Sequence, residues 1–174
     1  MNVLKRAFLS IIRGLKWKLR YGGKISCDFP VAMEKVMVEK DPHGWISIGK
    51  KTQNRGNLYL ICKKKGRIEI GEHCFFNTNS SLTALEGIKI GNYCKFGNNL
   101  VIVDHDHSIR NEEIEFLASP ITIGDHVWIG ANCTILKGVQ IGDGSVVSAG
   151  SVVRKSIPPG SVYYEKKDTI IVKK

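Results

Sequence analysis

Asp104-His105-Asp106-His107 places two imidazoles and two carboxylates in four consecutive residues. Side chains of these types support two kinds of chemistry. Imidazole nitrogens and carboxylate oxygens can ligate a transition metal. A neutral imidazole, with a reference pKa near 6.5, can take the proton from a hydroxyl as that hydroxyl attacks an electrophile. More acids, Glu112, Glu113 and Glu115, follow on the same stretch, so the imidazole has several potential orienting partners. The plainer alternative is a solvated polar loop. The choice depends on what holds the stretch in place.

The flanking sequence repeats with a period of six. From Ile123 an aliphatic residue recurs at Ile129, Ile135, Ile141, Val147 and Val153, and four residues after each stands Val127, Cys133, Val139, Ser145, Ser151 and Ile157. Upstream, Ile70, Phe76 and Leu82 keep the period. Ile90, Phe96 and Ile102 resume it after a shift of two residues, with Cys74, Ser80 and Cys94 at the small position. Six matches neither the 3.6-residue helix nor simple strand alternation, and it is the signature of a left-handed parallel β-helix. Three hexads close a triangular coil of about eighteen residues, with one aliphatic inside each face and a small residue at each corner. Each coil bonds only to its neighbours, so several must stack before burial outweighs ordering entropy. Cys74, Cys94 and Cys133 are then apolar corner fillers. The period fails after Ile102 and returns at Ile121 or Ile123, which makes residues 103–120 an insertion thrown out at a corner, where a rigid scaffold can aim it.

Composition narrows the class. A chain of 174 residues suits one domain, and its 18 glycines suit turns. Five cysteines without a CxxC pair and without a cleavable signal point to a reduced, cytoplasmic protein with no disulfide framework. The net charge of +10 is concentrated. Residues 1–24 hold Lys5, Arg6, Arg13, Lys16, Lys18, Arg20 and Lys24 with no acid, and residues 50–67 hold Lys50, Lys51, Arg55, Lys63, Lys64, Lys65 and Arg67, also with none. Such patches suit nucleic acid, an anionic membrane or a phosphorylated ligand, and charge alone does not choose. Leu4, Phe8, Ile11, Ile12, Leu15 and Leu19 fall within about a third of a helical wheel, which predicts a short basic amphipathic helix that lies on an anionic membrane or caps the open end of the β-helix.

The stretch IGDHVWIGANCTILKGVQIGDGSVVSAGSVVRKSIPPGS, Ile123 to Ser161, resembles the closing coils of the hexapeptide-repeat acetyltransferases, especially the maltose, galactoside and exopolysaccharide O-acetyltransferases; the resemblance covers residues 66–161. It implies a homotrimer of β-helices that uses acetyl-CoA, with the active site in a cleft between two subunits. In that family a loop between coils carries the catalytic histidine. Its match here is His105, with His107 second, because the alternation of Asp and His leaves the register ambiguous by two. Ala131 and Ala149 match corner positions along the pantetheine arm, Arg154-Lys155 matches a pair near the CoA phosphates, and Trp128 matches a tryptophan beside the cleft. On the acceptor side, Asn77 matches a sugar-binding asparagine and Glu86 stands one place from a family acid. No metal is expected. Zinc hydratases of the same fold place two histidines five residues apart late in the chain, and here His126 is followed at that distance by Ala131. The C-terminus departs from the family, since Tyr163 to Lys174 contains no Asn-Pro.

These readings combine into an all-β chain: an amphipathic segment at 1–24, a left-handed β-helix at 25–161 with a protruding loop at 103–120, and a tail at 162–174. The expected activity is transfer of an acetyl group from acetyl-CoA to a sugar hydroxyl in surface polysaccharide synthesis. No nucleic-acid partner is expected, and contact with the inner membrane face would run through residues 1–24. An N-acetyltransferase acting on an amino sugar nucleotide, or a non-catalytic β-helix scaffold, are the alternatives.

Overall fold

In a computed structural model, the described residues are 8, 9, 11, 12, 15, 16, 19, 25–28, 33, 35–110 and 113–166. They wind as a three-sided parallel β-helix in which, from Trp45 onward, the chain visits the same three faces in the same order. The first face stacks Ile25–Cys27, Trp45–Ile48, Arg67–Ile70, Gly87–Ile90, Ile121–Ile123 and Gln140–Ile141. The second stacks Gln53–Asn54, Phe75–Phe76, Lys95–Phe96, Trp128–Ile129, Val146–Val147 and Val162–Tyr163. The third stacks Val36–Lys40, Leu58–Cys62, Ser80–Ala84, Val101–Val103, Thr134–Ile135 and Val152–Val153. The last rung of the second face therefore runs into the segment expected to be tail.

The six-residue period is the inward-facing row. Ile102 pairs with Ile135 and Ile135 with Val153, Ile129 pairs with Val147, and all of these side chains are buried. The eighteen-residue coil holds only beyond the insertion. Earlier, Ile46 pairs with Ile68 and Ile68 with Ile88, spacings of twenty-two and twenty residues. The longer third-face strands of those coils, Leu58–Cys62 and Ser80–Ala84, take up the extra length, which accounts for the two-residue shift in the sequence. Within the wider coils Phe76 stacks on Phe96 with centroids 4.5 Å apart, filling space that aliphatics fill further on. Cys74, Cys94 and Cys133 are buried at corners, where each thiol donates to a carbonyl of the next coil, Gly91, Gly124 and Ser148 respectively.

Corners require backbone with positive φ, which few L-residues adopt cheaply. One corner uses Asn79, Asn99 and Asn132 and then Gly150, and the three amide side chains form a hydrogen-bonded ladder at 2.9 and 2.8 Å. Another uses His73, Tyr93 and His126 and then Gly144, with the rings stacked at 4.6 and 4.9 Å. Side-chain ladders offset the local backbone strain.

Of the expected N-terminal helix, Phe8, Leu9, Ile11, Ile12, Leu15, Lys16 and Leu19 have helical backbone, and all but Ile12 are exposed. The rest of residues 1–24 lies outside the described residues, as do residues 167–174. No helix among the described residues is long and apolar enough to cross a membrane.

Candidate active site

The insertion is not an irregular loop. His105–Arg110 and Glu113–Ala118 pair antiparallel, with His105 opposite Ala118 and His107 opposite Phe116, so the stretch is a hairpin standing on the corner between the third and first faces. Alternating side chains and self-pairing backbone give it order without a coil beneath it. Its neck is narrow, because the Ser119 amide donates to the Asp104 carbonyl at 2.8 Å and the Asp104 amide donates to the Thr83 carbonyl.

Asp104 is fully buried at this neck. The corner of the preceding coil, Leu85-Glu86-Gly87, turns its backbone amides inward onto the carboxylate. Oδ2 accepts from Glu86 at 2.8 Å and Gly87 at 2.7 Å, and Leu85 donates to Oδ1 at 2.9 Å and Oδ2 at 3.1 Å. Oδ1 also accepts from Nδ1 of His105 at 3.0 Å. A carboxylate only accepts, so the His105 proton sits on Nδ1 and Nε2 keeps its lone pair. The His105 side chain is 10% exposed, which fixes the ring while leaving it a solvent edge. His107 is exposed and, among the described residues, packs through ring contacts, 4.7 Å from Phe116 and 6.0 Å from His105.

Two contacts brace the hairpin along the helix axis. Lys137, on the same corner one coil later, meets Asp106 at 3.1 Å, and Lys64, on the same corner two coils earlier, lies 5.1 Å from the Phe116 ring centroid. Neither Phe116 nor Lys64 stands out as a site residue in the sequence. Phe116 is the lone Phe, Tyr or Trp within 103–120, a signal that was available; Lys64 reaches it from 52 positions away, which no local pattern reveals. Among the described residues, no three His, Cys, Asp or Glu side chains converge as metal ligands would.

The other sequence-selected residues divide between places. Glu86 joins the hairpin corner, where its amide holds Asp104 and its side chain is exposed. Arg154 and Lys155 follow Val152–Val153 on that corner near the far end, both exposed, with Arg154 4.0 Å from Glu165. Asn77, Ala131 and Ala149 lie on a different corner, between the second and third faces. There the backbone is stacked so closely that a Cβ on Gly97 would come within 2.5 Å of the Ala131 amide nitrogen, and one on Gly130 within 2.6 Å of that of Ala149. The Asn77 side chain accepts from the Thr78 amide at 3.0 Å. Trp128 points outward from the second face, 57% exposed. One chain thus carries an imidazole–carboxylate pair on one corner and a glycine- and alanine-lined strip on another.

Comparison with known proteins finds the same architecture. The family model described as "Hexapeptide repeat of succinyl-transferase" matches residues 67–103 and 120–155, stopping and resuming around the hairpin. Galactoside O-acetyltransferase of Escherichia coli is 38% identical over 98 residues, covering 55% of this chain and 48% of the relative. "Putative lipopolysaccharide biosynthesis O-acetyl transferase WbbJ" of Escherichia coli is 30% identical over 131 residues, 68% of this chain and 67% of the relative. Among solved structures, a hexapeptide-repeat-containing acetyltransferase of Vibrio cholerae complexed with acetyl coenzyme A superposes with a TM-score of 0.53 at 28% identity, covering 91% of this chain and 78% of that one. The chain spans about half the length of several curated relatives that it matches.

Proposed function

Since this chain belongs to the hexapeptide-repeat acyltransferase family, we propose that it transfers an acetyl group from acetyl-CoA to a sugar hydroxyl, with His105 as the general base. The observation that carries the reading is the His105–Asp104 pair at the neck of the hairpin. Nε2 takes the proton of the acceptor hydroxyl while the oxygen bonds to the thioester carbonyl carbon. The carbon–sulfur bond then breaks, and the CoA sulfur leaves with that proton. Asp104 holds the tautomer this requires and stabilises the imidazolium that forms. His107 has no such partner among the described residues, which favours His105 of the two.

The strip formed by Ala131 and Ala149 suits the pantetheine arm, because small side chains there leave corner backbone open to a thin ligand. Arg154 and Lys155 would meet phosphates and Trp128 would flank the cleft. Asn77 and Glu86 remain the candidates for the sugar. These residues occupy two corners of one prism, so a complete site needs the hairpin of one protomer set against the strip of another, as in a homotrimer. The faces differ in the way that requires. One outward row of the third face, Met37, Tyr59, Ser81, Val101, Thr134 and Val152, carries no charge, and the row beside it, Glu39, Ile61, Thr83 and Val103, carries one, whereas the first face shows Arg67, Glu69 and Lys89. An uncharged row is the one that subunit contact can desolvate cheaply.

An acceptor in surface polysaccharide synthesis fits the name of the lipopolysaccharide biosynthesis relative, a sugar acceptor fits that of the galactoside O-acetyltransferase, and the exposed apolar residues Phe8, Ile11, Leu15 and Leu19 fit contact with an anionic inner membrane face. The test is CoA release with a panel of sugar acceptors. His105→Ala should lose about 10²–10⁴ in kcat/KM, the ordinary contribution of a general base, and His107→Ala much less. Wild-type turnover by His105→Ala would sink the mechanism.

A further inference from the structure

Of the seven basic residues at 50–67, Lys50, Lys51 and Arg55 lie at other corners and four gather at one. Lys63, Lys64 and Lys65 turn the same corner that carries the hairpin, two coils earlier, and Arg67 opens the strand that follows. Lys64 Nζ lies 5.1 Å from the centroid of Phe116, and that ring lies 5.8 Å from His105 and 4.7 Å from His107. Lys63 is paired with Glu39, and the Asp41 carboxylate accepts from the backbone amide of Lys64 at 2.7 Å. No ion pair among the described residues engages the side chain of Lys64, Lys65 or Arg67. Above Arg67 the next rung is Gly87, where an added Cβ would meet nothing nearer than Pro120 Cβ at 3.8 Å. Gly87 thus sets no side chain over Arg67, beside the amides that hold Asp104. Of the carboxylates on this corner, Glu39 is taken by Lys63, Asp41 receives the Lys64 backbone amide and Glu86 is exposed one coil later, so the side chains of Lys64, Lys65 and Arg67 still repel one another, and a bound anion removes that repulsion.

We infer that this corner binds the phosphate or diphosphate of a phosphoryl-linked sugar, with Lys64 the residue that brings the anion to the imidazoles. The inference rests on the O-acetyltransferase reading and specifies its acceptor class: a sugar already joined to a carrier through phosphate. An ammonium acts on phosphate as a point charge, and the Arg67 guanidinium can hold two oxygens at once. A nucleotide and a polyprenyl lipid present the same diphosphate, so the chemistry is shared and the carrier is a matter for experiment.

Inorganic diphosphate serves as the first probe, titrated into the full chain with CoA at saturation and followed by calorimetry and by the imidazole resonances. Wild type should bind and shift the His107 signals. Lys64→Gln should weaken binding about five- to tenfold, as loss of one charge-assisted contact does. Lys50→Gln, which removes a lysine paired with Glu72 at 3.2 Å, should change nothing. Unaltered binding by Lys64→Gln, or binding seen only when CoA is left out, overturns the inference. A second arm compares each hexose as methyl glycoside, 1-phosphate, UDP-sugar and farnesyl-diphosphate sugar. Lys64→Gln should raise KM for the phosphorylated acceptors and leave KM for acetyl-CoA and the methyl glycoside unchanged. Acetyl transfer with equal KM for methyl glycoside and phosphorylated sugar sinks this inference and leaves the O-acetyltransferase reading standing. Lys64-dependent diphosphate binding with no transfer to any acceptor sinks that reading and supports the anion site.

Discussion

Asp104→Asn separates what the buried carboxylate does for the fold from what it does for His105. Oδ2 alone lies within reach of all three corner amides, at 3.1 Å from Leu85, 2.8 Å from Glu86 and 2.7 Å from Gly87. An asparagine oxygen in that place keeps those three bonds and turns the NH2 group toward His105, where it also stands against the Leu85 N–H that donates to Oδ1 at 2.9 Å in the wild type. The opposite orientation would set N–H against the N–H groups of Glu86 and Gly87. Facing a donor, Nδ1 must accept, so the ring proton moves to Nε2 and the base is lost. The expected fall in kcat/KM is about 10²–10⁴. The structural cost is smaller. Three bonds to a charge become bonds to a neutral amide, at a difference of about 1 kcal/mol each, so destabilisation should be about 3 kcal/mol or less. Asp104→Ala instead removes the acceptor of three partly buried amides, at up to about 1–3 kcal/mol each, and should lose more stability than Asp104→Asn. The assay is CoA release with an acceptor sugar, paired with thermal unfolding and long-range ¹H–¹⁵N spectra that report the imidazole tautomer. A folded Asp104→Asn protein with its proton on Nε2 and turnover within about threefold of wild type would refute the reasoning, since general-base loss is worth far more.

Three further outcomes follow from other parts of the structure. Burial pushes the Cys62 thiol up from 9.0 to about 12, and the Cys27 thiol up to about 11. Both should resist iodoacetamide at pH 8 in the folded protein and react fully in guanidinium. Because these folded values exceed the unfolded one, their contribution to stability is complete below pH 9.0 and declines as pH rises toward 12, visible as a falling Tm across that window. Val101→Glu places a charge in an uncharged outward row of the third face, so if the proposed homotrimer meets through that face the variant should sediment as monomer with secondary structure retained; a trimer unchanged by the substitution would exclude that face as the contact. The full chain should co-sediment with phosphatidylglycerol vesicles, less so with phosphatidylcholine. Leu15→Asp should abolish the difference, since Leu15 is exposed among helical residues in a segment with seven basic residues and no acid.

How far each feature could be read in advance depends on its range. The six-residue period is a short-range pattern: each aliphatic from Ile123 to Val153 marks one inward position, so the coil, its corners and the place where it breaks are legible along the chain. The same reasoning located an insertion between Ile102 and Ile121 and the imidazoles within it. The hairpin was less legible, because six residues per strand in a charged stretch resemble loop composition until cross-strand pairs such as His107 and Phe116 are seen.

The period-six pattern by itself determined a stacked triangular coil, because the packing of a flat face and a tight corner repeats identically at each hexad. It could not select among Asp104, Asp106, Glu112, Glu113 and Glu115 as partner of the imidazole. Only the tertiary structure did so, because the amides that trap the Asp104 carboxylate come from Leu85, Glu86 and Gly87, nearly one coil back. The pairing of His105 rather than His107 with Asp104, the placement of the sequence-selected residues on two corners, and the approach of Lys64 to Phe116 are decided in the same way. Each depends on which coils stack beside one another, and contacts across coils join residues that sequence spacing keeps apart.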